Sequence, residues 1–320
     1  RLAIVDPRPD AATLEIRSRF AGTGIYRIVA VSRSPAALAP LFQRGTAQQA
    51  VVFEPGFAQA LARGERAQVQ VITDAADPNT GATRRSYAVA VIQEYERELR
   101  AGRPGVHIQP QARMRFNPTL ESAYLFVPGL IAFVLIIISA LMTTISLTRE
   151  KEVGTMEILL ASPLRPAQII AGKVLPYLVL GFVNVLTTLA VAWAAFGVPI
   201  RGSVVLLLVE SMLYTLTALA LGILISTRTD SQRVAMTAAL MGLMMPTLML
   251  SGFIFPLESM PAALQAVSNA IPAKWFVLIA RGIMLKGVGL EYLWQETLVL
   301  TGMMLLFLAV AVRNFKIRLG

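Results

Sequence analysis

From Leu125 onward the chain holds five apolar stretches that are long enough, or nearly so, to cross a bilayer: about 125–148, 174–197, 203–226, 234–255 and 294–312. A helix rises about 1.5 Å per residue, so about 20 residues cover a hydrocarbon core about 30 Å thick. No water reaches the backbone there, and each stretch can satisfy its own amides and carbonyls only as an α-helix. Interior Gly and Pro, as at Pro128-Gly129, Gly222 and Pro246, are better tolerated in spanning helices than in soluble ones. The connection 256–293 is moderately apolar but broken by Pro256, Pro261 and Pro272. It predicts a pair of short re-entrant or interfacial helices, which are permitted where protein buries the backbone.

The first 124 residues read as a separate α/β domain. Leu2–Asp6, Tyr26–Ser32, Ala50–Phe53 and Val69–Thr73 are short, β-branched and bounded by Pro, Gly or Asp, as strands are. Helical spacing lies between them at Ala11–Phe20, Pro35–Arg44 and Phe57–Arg63. A longer helix is predicted from Thr80 to about Arg100, with Tyr87, Val91, Tyr95 and Leu99 on one face at i, i+4 spacing, and Val106–Phe116 as a last extended segment. Strand–helix alternation implies a layered α/β domain over 1–124, followed by a helical membrane domain over 125–320.

Charge sets the orientation. Only 15% of the residues are charged, against about 25% in soluble domains. The first part holds 16 Arg and 11 acidic residues and the second 13 Lys/Arg and 8 acidic residues, so each carries a formal +5. In the first part the Arg are scattered singly, as at Arg17, Arg19, Arg27 and Arg33. That pattern lacks the clustered basic stripe of a nucleic-acid surface; it fits an ordinary solvated surface or, as a functional reading, attraction to anionic lipid headgroups. In the second part, nine basic residues fall on one side of the spans: Arg149, Lys151, Arg165, Lys173, Arg228, Arg233, Arg313, Lys316 and Arg318. Four, Arg201, Lys274, Arg281 and Lys286, fall on the other. The richer side is cytoplasmic by the positive-inside rule, which puts the C-terminus inside and residues 1–124 outside. A translocated first domain needs a signal, so a further span before Arg1 is expected, six in all.

Enzyme chemistry is not expected. Gly172-Lys173 resembles the end of a phosphate-binding loop, but Val174 follows it and Ala167 stands where the first Gly belongs. No cysteine is present, which excludes thiolate ligands and nucleophiles, and the single histidine, His107, lies in a predicted strand. No catalytic residue, cofactor site or metal site is predicted. Polar residues inside spans are pathway candidates, because a charge in the bilayer faces protein or water. Glu210 and Asn184 are the two, with Thr187 and Thr188 available for bonds between helices. Met241, Met244, Met245 and Met249 offer a soft apolar wall.

The stretch 148–165 reads Thr148-Arg149-Glu150-Lys151-Glu152-Val153-Gly154-Thr155-Met156-Glu157, then Ile158 to Ala161, and ends Ser162-Pro163-Leu164-Arg165. Physically it is an amphipathic elbow at the membrane surface. Thr155 can cap a second short helix with Glu157 in its first turn, and Ser162-Pro163 stops that helix. Its pattern of Glu150-Lys151-Glu152, Gly154-Thr155 and Glu157 resembles the signature of ATP-binding-cassette type-2 permeases. A second stretch agrees: Ser251-Gly252-Phe253-Ile254-Phe255-Pro256-Leu257-Glu258, Met260-Pro261, Asn269, Ile271-Pro272 and Trp275-Phe276. The resemblance covers 125–320 and extends to the branch with a large extracytoplasmic domain between its first two spans.

The resemblance implies an efflux permease in a bacterial inner membrane, moving a lipophilic or amphiphilic substrate such as a drug or lipid. It implies a second permease, identical or paralogous, and separate ATPase subunits that hold the ATP and Mg. The resemblance also leaves room for a periplasmic adaptor as a partner. Coupling to the ATPase would fall to Glu150, Lys151, Glu152, Gly154, Thr155, Glu157, Ser162, Pro163 and Arg165. Gly252, Phe255, Pro256 and Pro272 would shape an outer re-entrant element. Two other classes compete: an ion-coupled secondary transporter, which predicts inverted repeats and several midplane charges, and a membrane-anchored receptor or assembly factor acting through its outer domain.

Overall fold

A computed structural model describes residues 1–102, 105–155 and 166–314. The chain divides into two compact units, Arg1–Tyr124 and Leu125–Gly320.

The first unit is built on a five-stranded sheet in the order β2-β1-β3-β4-β5. Its strands are β1 (Leu2–Val5), β2 (Ile28–Ser32), β3 (Gln49–Phe53), β4 (Arg66–Asp74) and β5 (His107–Arg115). β1 runs parallel to β2 and β3, β3 is antiparallel to β4, and β4 is parallel to β5. Alternation along β1 divides the core in two. Leu2 and Ile4 join Ile16 and Phe20 of α1 (Ala11–Gly22), Phe57 of α3 (Phe57–Ala62), and Ala88, Ile92 and Tyr95 of α4 (Pro78–Gly102). Ala3 and Val5 face the other way, onto Leu38 and Phe42 of α2 (Leu38–Gln43) and Phe116.

Three local expectations need correction. On α4, Tyr95 is buried and Val91 and Leu99 pack against the same core, joined by Ala88 and Ile92, while Tyr87 is half exposed. Strict four-residue steps drift around a helix of 3.6 residues per turn, so the stripe begins at Ala88 rather than at Tyr87. β4 starts at Arg66, three residues early, because the alternation already runs there: fully buried Ala67, Val69 and Val71 alternate with exposed Arg66 and Gln68 and half-buried Gln70. The 35–44 stretch is a 3₁₀ turn (Pro35–Ala37) before α2, with Ser34 accepting from the Ala36 amide.

Among its described residues the second unit contains five long apolar helices: α5 (Ser122–Val153), α6 (Pro166–Ala194), α7 (Val204–Ser226), α8 (Gln232–Leu250) and α11 (Leu290–Asn314). At about 1.5 Å per residue, even the shorter ones approach or exceed a bilayer core in length. α5 and α7 are the inner pair: about half of each one's apolar stretch is buried (56% and 50%), against 17% for α8. α5 meets α7 through close backbone approach. Thr144 Oγ1 donates to the Gly222 carbonyl at 3.0 Å, and a Cβ on Gly222 would stand 2.5 Å from the Ala140 oxygen. Tyr214 of α7 donates to the Ala132 carbonyl at 3.1 Å and stacks on Phe276 at 4.3 Å.

Between α8 and α11 the chain forms a 3₁₀ turn (Leu257–Ser259) and two short helices, α9 (Ala262–Ser268) and α10 (Pro272–Arg281), bent by 86° at the break. A five-residue π turn (Gly282–Lys286) extends α10. α8 stops at Leu250 rather than near 255, because Ser251 turns back onto Thr247 (2.5 Å) and receives the Phe253 amide (3.2 Å). Thr187 and Thr188 do not bridge helices; both hydroxyls donate to the Asn184 carbonyl within α6, at 3.0 and 2.6 Å.

Candidate functional site: a polar clamp at the helix ends

Glu150, Lys151 and Glu152 do not stand in a loop after the first span. α5 continues through them to Val153, and Gly154 at φ +77° ends it. A left-handed residue just past a helix is commonly glycine, because a Cβ there is strained. The charged triplet is therefore fixed on the last turn of a 32-residue rod.

Each member reaches a different element. Glu150 pairs with Lys173 of α6. Lys151 donates its ammonium to the carbonyls of Ser226, the last residue of α7, and Thr229 (3.1 Å). Glu152 accepts from the Gln232 amide at 2.7 Å and from its side-chain Nε2 at 2.5 Å, at the first turn of α8. The chemistry of helix ends explains this distribution. The last carbonyls of α7 lack intrahelical donors and attract a cation, while the first amides of α8 lack acceptors and attract an anion. Ser231, the N-cap of α8, makes no side-chain bond there, so Glu152 takes that role.

This arrangement decides two sequence readings. Gly172 and Lys173 lie inside α6 rather than in a turn before a helix, and Lys173 is an ion-pair partner. The mixed charges of 150–152 also have partners within the chain, whereas the sequence points to a solvated surface. Thr155 reaches back to the Glu150 carbonyl at 3.4 Å. Glu157, Ser162, Pro163 and Arg165 lie outside the described residues. Sequence reasoning missed the clamp's receiving side: Ser226, Thr229 and Gln232. A usable signal was present, since a Ser-Thr-rich turn between two apolar runs must leave its carbonyls and amides unpaired.

A cavity of about 690 Å³ opens beside the clamp, lined by Ile138, Met142, Ile145 and Arg149 of α5 and by Tyr177 of α6, among others. The remaining candidates sit elsewhere. Glu210 is buried on α7 and accepts from Thr297 of α11 at 2.7 Å; its second oxygen has no partner among the described residues. Asn184 is half-buried on α6, and its amide nitrogen also lacks a partner among the described residues.

In the bent segment, Gly252 at φ +79° packs on Leu257, and Phe255 is half exposed beside Pro256. Pro272 is the first residue of α10, where its missing amide is harmless. The break before it is tied by Lys274 to Asn269 Oδ1 (2.5 Å) and by the Trp275 indole to the Asn269 carbonyl (3.0 Å). His107 is exposed in β5, bonded to Arg100 and 3.6 Å from Glu96.

Five apolar helices among the described residues, four of them joined at one end by half-buried and exposed charge, fit a multi-pass membrane protein. The family model described as "ABC-2 family transporter protein" matches residues 1–313, and the chain belongs to that family. It is 34% identical over 292 residues to the "Probable multidrug ABC transporter permease YbhS" of Escherichia coli (strain K12), covering 90% of this chain and 77% of that protein. Similarity to "Probable multidrug ABC transporter permease YbhR" of the same strain is 31% over 296 residues, 92% of this chain and 80% of that one. The "ABC transporter G family member 20" of Dictyostelium discoideum shares 31% over 206 residues, 62% of this chain and 28% of its own length.

Proposed function

We propose that the chain is the permease subunit of an ATP-driven exporter in a bacterial inner membrane, with residues 1–124 outside and the C-terminus in the cytoplasm. It would belong to the branch with a large extracytoplasmic domain, and its cargo would be a lipophilic or amphiphilic compound. The relatives YbhS and YbhR each carry the name "Probable multidrug ABC transporter permease", which supports that cargo class. ATP and Mg would be held by a separate ATPase, with two permeases per complex and room for a periplasmic adaptor. The exposed methionines of α8, Met241 and Met245, suit a face turned to lipid, to a second permease or to cargo.

The observation that carries the reading is the clamp. A chain driven by a partner's ATPase needs a rigid point at which force enters the spans, and the segment 150–165 begins at such a point. Its first three charges are anchored to α6, α7 and α8. The remaining residues, Gly154, Thr155, Glu157, Ser162, Pro163 and Arg165, would then form or shape the contact with the ATPase. Glu157→Lys with Arg165→Glu should detach the ATPase or uncouple hydrolysis from transport while the permease still assembles. Co-purification and substrate-stimulated hydrolysis in liposomes measure both, and full binding with full coupling in that variant overturns the assignment.

The secondary-transporter reading fares less well, since Glu210 is enclosed between α7 and α11 rather than set among midplane charges.

A further inference from the structure

We infer that the short inner turn Thr227–Ser231, between α7 and α8, is a second moving part of the coupling machinery, driven by Lys151 and Glu152 of α5. The inference deepens the proposed permease function and rests on it. A contact between α5 and its own continuation would pass a push from the ATPase to one helix only. The clamp distributes it. Lys151 holds the exit of α7 through the Ser226 and Thr229 carbonyls, and Glu152 holds the entry of α8 through the Gln232 amide.

These attachments lie on consecutive residues of one helical turn, so α5 cannot rotate or tilt without carrying both sides of the 227–231 turn. The buried contact below them adds stiffness: Leu147 of α5 and Ile223 of α7 pack with Ala311 of α11 in one cluster. The turn itself is short and has exposed residues at Arg228 and Asp230, so it has little slack with which to absorb the motion. Lys173, paired with Glu150, extends the same linkage to α6. Lys151, Glu152 and Lys173 are positioning residues by this account; none has to touch the ATPase.

The absence of cysteine from the chain makes the motion measurable. Arg228→Cys places one thiol on the exposed part of the turn. In the complete complex with its ATPase, in liposomes, its maleimide labelling rate should change at least about fivefold between the nucleotide-free and ATP-trapped states, the lower range of ordinary allosteric coupling. Adding Lys151→Met and Glu152→Ala should erase that change while the ATPase still co-purifies. An unchanged labelling rate in the parent, or an undiminished change in the triple variant, overturns the inference. Failure of the parent to retain its ATPase would instead strike the proposed function.

A measurement on the permease alone keeps the two apart. Amide exchange at Gln232 should accelerate at least about tenfold in Glu152→Ala, as a lost helix-end acceptor requires, and unaltered exchange overturns the clamp. The charge swap is the control for misfolding. Glu150→Lys should lose substrate-stimulated hydrolysis, and Glu150→Lys with Lys173→Glu should regain it. A double variant as impaired as the single one removes Lys173 from the linkage.

Discussion

At the scale of single residues, the membrane unit is held by close approach and by a few polar bonds rather than by hydrophobic driving force, because lipid is as apolar as leucine. Gly222 is the tightest case on α7. Its missing Cβ is what lets the Ala140 carbonyl of α5 come close, and the obstruction is backbone, which cannot swing aside. Gly222→Ala should therefore lower the stability of the α5–α7 pair by about 1–3 kcal/mol, the usual penalty of overpacking. Thermal unfolding in detergent, followed by helical circular dichroism, checks it. Glu210 is a different kind of residue. Its neighbour Thr297 supplies one hydrogen bond, and the burial of a carboxyl without a cation is expensive unless it serves a purpose. Glu210→Gln keeps the shape and the acceptor for Thr297, so assembly should be intact while transport falls several-fold. Transport kinetics in liposomes decide it, and unchanged kinetics make Glu210 a packing residue.

At the scale of elements, the spans were legible in the sequence and their ends were not. Twenty apolar residues announce a helix through the bilayer, but nothing in Glu150-Lys151-Glu152 announces that the helix goes on, because the partners that favour it lie 23 to 80 residues away (Lys173, Ser226 and Gln232 against those three). The same holds for Asn269, legible as part of a family pattern but explained only by Lys274 and Trp275 folding back onto it. Strand order, too, depends on long-range pairing that a periodicity cannot carry. In the first unit the tie between α1 and α4 is of this long-range kind. Arg19 grips both oxygens of Glu98 at 2.7 and 2.6 Å and lies over the Tyr95 ring at 5.0 Å. The guanidinium holds the Glu98 carboxyl below its ordinary range. A lowered carboxyl contributes stability that is fully present above its unfolded value and fades as pH falls through the lower, folded one. Amide exchange in α1 and α4 should accordingly quicken on acidification below the ordinary carboxylate range. In Arg19→Gln that acid-dependent component should disappear.

At the scale of the whole molecule, the question is which side of the membrane each unit occupies, and charge alone argues it. Nine basic residues flank one side of the spans and four the other, yet several of the minority have internal duties: Arg201 donates to the Leu285 carbonyl at 3.2 Å, Arg281 to the Leu125 carbonyl at 3.1 Å, and Lys274 to Asn269. Cations engaged in this way serve the fold, as Lys151 and Lys173 do on the richer side, and the excess of basic residues stays on that side. Two single-thiol variants read it directly. Asn79, exposed near the start of α4, bonds through its backbone, the amide donating to Asp77 Oδ1 and the carbonyl accepting from Thr83 Oγ1, so Asn79→Cys leaves the local fold unchanged. A membrane-impermeant maleimide added to intact cells whose outer membrane has been opened should label Asn79→Cys and spare Arg228→Cys. Inverted vesicles should give the opposite result. The two sites stand on opposite sides of an odd number of crossings, α5, α6 and α7 in turn, so the reagents must disagree about them if all three helices span. Labelling of both thiols from one side removes a span from the count, and labelling of Asn79→Cys from the cytoplasmic side alone inverts the protein.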